Sequence, residues 1–94
     1  AGVTTEPDRL MMCQMPAGVV NLAIALEHMA LAATAEGLGT CWIGRFPQDT
    51  CCNLLHVPPT AKIVELMTLG YPAQAPREPS RKAMDEIVCQ NRFV

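Results

Sequence analysis

Hydrophobic positions crowd one stretch of the chain. Between residues 18 and 36 the strongly polar side chains are Asn21, Glu27 and His28, with Thr34 near the end, while Val19, Val20, Leu22, Ile24, Leu26, Met29 and Leu31 alternate with alanines. Alanine-rich sequence of this kind favours helix strongly. Pro16 stands where a first turn tolerates proline and Gly37 where a helix end needs positive φ, so the pattern predicts a helix over residues 18–36. Its polar stripe is narrow, which predicts burial on several sides. A helix of about 30 Å is also long enough to cross a bilayer, but Glu27 and His28 would then sit mid-membrane at a cost of several kcal/mol, and no membrane span is expected.

Before that helix, residues 1–16 mix turn formers with the short apolar patch Leu10, Met11, Met12 and are expected to be irregular. After it, GLGTCWIGRF carries three glycines around the β-prone run 40–43, predicting a short extended segment leaving a turn. Pro47, Asp49 and Thr50 open a short helix through Leu55, closed before Val57, Pro58 and Pro59. KIVELMTL, residues 62–69, is predicted as a mostly buried strand ended by Gly70, Tyr71 and Pro72. Nothing periodic survives in AQAPREPS, which predicts an exposed, extended arm, with a turn or two of helix over residues 84–89.

Composition narrows the function classes. Ninety-four residues allow one domain, and a net charge of −2 supplies no basic field for nucleic acid. Half the residues are hydrophobic and 17% are charged, more apolar surface than one small core needs, so a second chain is expected to cover part of it. The five cysteines have no repeated short spacing, and no basic leader precedes an apolar stretch. Free, reduced thiols and a cytoplasmic location are therefore expected. Cys51 and Cys52 are adjacent, which suits neither a disulfide nor a common zinc spacing, so no metal site is expected.

Three pieces, in order, carry a family resemblance: LAIALEHMALAATAEGLGTCWIGRF, KIVELMTLGYPAQ and SRKAMDEIVC. Together, over roughly residues 21–89, they resemble the C-terminal half of the nitroreductase family of flavin oxidoreductases. The resemblance implies an α+β fold for a single partial domain over 1–94, with a lead-in at 1–16, a helix/strand core at 17–72 and a C-terminal arm at 73–94. It implies a long buried interface helix, a short second helix, one or two strands and an arm that wraps a partner. The family's first half, with its FMN-phosphate segment, is absent from these 94 residues.

The same resemblance implies FMN at a homodimer interface formed by the helix of residues 18–36, with hydride passing from NAD(P)H to flavin N5 and on to a nitro or quinone-like acceptor. Because the flavin carries the chemistry, no catalytic side chain is implied. Backbone N–H groups around Ile43, Gly44 and Arg45 would meet the ring, with Gly39 and Trp42 in the same segment, and Arg81 and Lys82 would meet the FMN phosphate. Gly37 and Gly39 would let backbone approach a flat ligand. Arg45 departs from the small or acidic residue commoner in the family, and either binds a nicotinamide phosphate or points to solvent. The alternative to an enzyme is a non-catalytic dimerisation or assembly fragment that has lost flavin.

Overall fold

The computed structural model describes residues 1–5 and 9–93, so residues 6–8 of the lead-in and residue 94 of the arm lie outside the described residues. Its organising element is the strand Lys62–Gly70, here β3, flanked on one side by β1, Gly2–Thr4, and on the other by β2, Gly39–Ile43. Both pairings are antiparallel, and β2 runs in unbroken register from Gly39 opposite Gly70 to Ile43 opposite Leu66. β1 shifts register between Gly2 and Val3. Three strands thus form where one or two were expected, and the extra one falls inside the lead-in expected to be irregular. Gly2 suits its placement: a Cβ there would meet the end of the Leu22 side chain, so the glycine lets this backbone lie close under the helix without moving that leucine.

Helix α1, Ala17–Ala35, stands on that sheet. Its first N–H is satisfied by the Arg9 carbonyl at 2.8 Å, with Pro16 in extended backbone ahead of it. At the other end Gly37 adopts φ +75°, and the N–H groups of Gly37 and Leu38 donate to the carbonyls of Thr34 and Ala33. That pair of bonds closes the helix as the glycine predicts. Burial on several sides is not what the single chain has. Leu26 and Ala33 are buried against the sheet, whereas Val20, Ile24 and Leu31, on the opposite side at about 100° per residue, are exposed. One layer lies beneath α1, and a three-stranded sheet is too narrow to wrap it. α1 is long and apolar enough to cross a membrane by length and composition alone, and 11% of its apolar window is buried.

β3 corrects a second expectation. Ile63 is buried at 2% exposure, Val64 to Met67 are half-buried, and the strand's last three residues are exposed. Helix α2, Gln48–Leu54, touches β3 alone among the elements. Its anchor is a side chain: Gln48 Nε2 donates to the Ile63 carbonyl at 2.8 Å while the Ile63 N–H donates to Gln48 Oε1 at 2.9 Å. This amide prolongs the β2 side of the sheet after β2 itself has ended. The Cys52 thiol donates to the same Oε1 at 3.3 Å. His56, at φ +54°, closes α2 as Gly37 closes α1, with Val57 N–H on the Cys52 carbonyl at 2.9 Å. The arm is exposed and extended, and its one turn of helix, α3, Met84–Ile87, packs on no other element.

Replacing Gln48 by Ala removes both bonds to Ile63 and leaves a half-buried N–H and carbonyl facing nothing. Unfolding in urea is expected to show a loss of about 1–3 kcal/mol. Cys52→Ser, which keeps a donor toward Gln48, is expected to stay within about 0.5 kcal/mol of the parent.

Candidate functional site

The end of β2 is where backbone becomes available. The ladder stops at Ile43 opposite Leu66, and the chain runs on through Gly44, Arg45 and Phe46 before Pro47 leads into α2. Among the described residues, the N–H groups of Gly44, Arg45 and Phe46 make no backbone hydrogen bond outside the strand ladder. Gly44 and Arg45 are exposed, and Ile43 is half-buried. The segment leaves a sheet end whose position is fixed by β3 on one side and by the Gln48 anchor on the other, and the Arg45 and Phe46 N–H groups, past the last paired residue, are its available donors. Such donors suit a flat ligand edge bearing carbonyl oxygens or ring nitrogens.

Beneath Gly44 lies a charge. Extending the register by one residue sets Gly44 beside Glu65, and a Cβ built on Gly44 would stand 3.5 Å from Glu65 Oε1 and 3.7 Å from Oε2. Glu65 Oε1 is enclosed and has no hydrogen-bond partner among the described residues. On its other side Glu65 is paired with Gly2, so both neighbouring strands present a residue without a side chain beside this carboxylate. Sequence reasoning passed over Glu65 as a polar break in an apolar strand. The signal was present, since it is the one charge within IVELMTLG.

The other expected residues sort as follows. Gly39 opens β2, and its missing side chain accommodates Pro72, whose Cβ would be 3.3 Å from an added Cβ, so the chain itself uses this glycine. Gly37 serves the end of α1. Trp42, 40% exposed, pairs with Met67 on β3. Arg81 and Lys82 are exposed on the arm. Glu27 and His28 are exposed on α1. All five cysteines are free, Cys51 and Cys52 half-buried and the rest exposed. No group of three His, Cys, Asp or Glu side chains comes together among the described residues. Two concavities accompany the site: an apolar groove of about 250 Å³ between α1 and β3, floored by Met29, Ala33, Met67 and Leu69, and a cleft of about 850 Å³ at the start of α1, edged by Thr4, Arg9, Leu10 and Asn21.

Residues 14–71, which hold α1, the β2 end, α2 and β3, match the model of the nitroreductase family. The chain belongs to the nitroreductase family. Across this nitroreductase-family chain the solved structures agree with the match. It is 34% identical to a nitroreductase family protein of Clostridium novyi NT, with a TM-score of 0.68 over 74% of this chain and 40% of that one. It is 31% identical to the NADPH:FMN oxidoreductase of Vibrio harveyi, solved with NAD+, with a TM-score of 0.73 over 81% of this chain and 34% of that one. A curated Archaeoglobus fulgidus relative, whose name joins NADH dehydrogenase with NAD(P)H nitroreductase, is 31% identical over 58 residues, 57% of this chain and 33% of its own length. The 94 residues therefore span between a third and two fifths of these relatives.

Two glycine substitutions distinguish conformational need from open space. Gly37→Ala meets no atom within 4 Å, yet must hold positive φ, and is expected to cost about 1–2 kcal/mol in thermal or urea unfolding. Gly44→Ala brings only an ordinary contact with Glu65 and is expected to stay within about 0.5 kcal/mol.

Proposed function

We propose that this chain forms part of an FMN-dependent NAD(P)H oxidoreductase of the nitroreductase type, acting as a homodimer. The observation that carries the reading is the end of β2 inside the family-matched region, where the chain runs on through exposed Gly44 and Arg45 and the Arg45 and Phe46 N–H groups make no backbone hydrogen bond. When bound, FMN supplies the hydride chemistry, taking hydride from NAD(P)H at N5 and passing reducing equivalents to a nitro or quinone-like acceptor. This chain's own contribution is orientation. Backbone N–H groups from Ile43 to Arg45 hold the ring edge, with Gly39 and Trp42 in the same strand, and the exposed Arg81 and Lys82 offer the phosphate a charge-assisted grip. Arg45, exposed and next to the ring segment, either meets the phosphate of a nicotinamide substrate or points to solvent.

The dimer supplies what one chain leaves open. Val20, Ile24 and Leu31 form an outward apolar stripe on α1, and the arm, which is exposed and whose helix α3 packs on no other element, is free to reach a partner. Five unpaired thiols support a reducing, cytoplasmic setting. The competing reading is a non-catalytic assembly segment without flavin. One observation favours it: both members of the arm's basic pair are exposed in the single chain. Flavin absorbance that follows the protein through gel filtration separates the two.

Arg81→Ala is expected to weaken FMN binding about ten- to hundredfold in a fluorescence titration while leaving the far-ultraviolet circular dichroism unchanged. Leu31→Asp places a charge in the outward stripe and is expected to convert a dimer to monomers in sedimentation at micromolar concentration. A wild-type chain that sediments as a monomer would contradict the dimer.

A further inference from the structure

We propose that Glu65 sets the electrostatics of the candidate flavin segment: its carboxylate, held across the sheet against Gly44, places a negative charge at the start of that segment and so disfavours reduced FMN relative to oxidised FMN. The inference rests on the FMN reading above and assigns to that site a side chain outside the Ile43–Arg45 backbone.

The position is built by the sheet. Glu65 sits at the centre of β3 between Gly2 and Gly44, so no neighbouring side chain on either strand displaces its carboxylate. Both oxygens stand at van der Waals distance from where a Cβ of Gly44 would be, which fixes the charge against the very residue that begins the segment. Oε1 is enclosed without a partner among the described residues. An unsatisfied buried acceptor carries a desolvation cost, and a fold keeps such a group where it serves something other than stability.

Distance and shielding decide the size of the effect. A ring edge accepting a hydrogen bond from the Gly44 or Arg45 N–H lies within about 9 Å of the carboxylate. At that separation one unit charge changes the relative stability of two ligand states that differ by one charge by about two- to twentyfold, depending on the local dielectric. Arg45 has the opposite sign, but it is exposed, so water and salt screen it more than the enclosed Glu65. Reduction adds negative charge to the flavin, and the enclosed carboxylate therefore opposes it.

The test is a pair of anaerobic titrations, with FMN and with dithionite-reduced FMN, carried to millimolar ligand on the wild-type chain, Glu65→Gln and Glu65→Asp. Glu65→Gln, nearly the same shape without the charge, is expected to shift the ratio of the two dissociation constants toward reduced FMN by about two- to twentyfold. Glu65→Asp keeps the charge and is expected to keep the wild-type ratio. An unchanged ratio in Glu65→Gln, or an equal weakening of both forms, overturns the proposal while the FMN reading stands. Absence of binding by either form to the wild type overturns both.

Discussion

Backbone pairing along β3 is the interaction on which the rest of the molecule depends. β1 and β2 hydrogen bond to its two sides, α1 lies across it, and α2 touches nothing else. Ile63 is the point of convergence: its side chain is buried, and its N–H and carbonyl on the β2 side of the strand are taken by the Gln48 amide rather than by another strand. This arrangement sets the site. Because β2 ends at Ile43 and Gln48, the first residue of α2, takes over five residues later, the segment from Gly44 to Phe46 is tethered at both ends and still has the Arg45 and Phe46 donors to offer.

Hydrogen bonding holds these elements together more than a core does. The buried hydrophobic residues are Leu26, Ala33, Ala61 and Ile63, a small set for a chain that is half hydrophobic. Its accessible surface is 8176 Å², against about 5,300 Å² for a compact globule of 10.2 kDa. The radius of gyration is 16.6 Å, against about 12 Å for a compact domain of this length. The surplus of about 2,900 Å² on one chain exceeds the roughly 1,000–2,500 Å² per partner that permanent interfaces commonly bury. Part belongs to the unpacked arm and part to the outer side of α1. α1, β2 and β3 lie within the family-matched residues, and the chain spans a third to two fifths of the length of these relatives.

Local signals made much of this legible. Alanine content and the flanking Pro16 and Gly37 placed α1 to within a residue, the proline pair at 58–59 closed the α2 segment, and the apolar run 62–69 marked β3. What escaped were features that depend on residues distant in sequence. β1 is three residues long and lies with Gly2 close beneath Leu22, which no periodicity can signal. The Gln48 anchor joins residues fifteen apart through a side-chain amide. Burial of α1 was overestimated because an apolar circumference shows what a helix needs to have covered, not what a single chain supplies. The candidate site divides in the same way: the glycine-bearing strand end was visible in GLGTCWIGRF, whereas the Glu65 carboxylate beneath it emerges only from the pairing of β3 with both neighbours.

The most direct measure of this account is the dependence of thermal unfolding on protein concentration. If the uncovered apolar surfaces are completed by association, the midpoint of the 94-residue chain rises steadily as its concentration is raised from micromolar to hundreds of micromolar, because mass action favours whatever binds the folded state. A cooperative transition whose midpoint stays constant across that range would contradict it, since the chain would then hold its fold with its own small core.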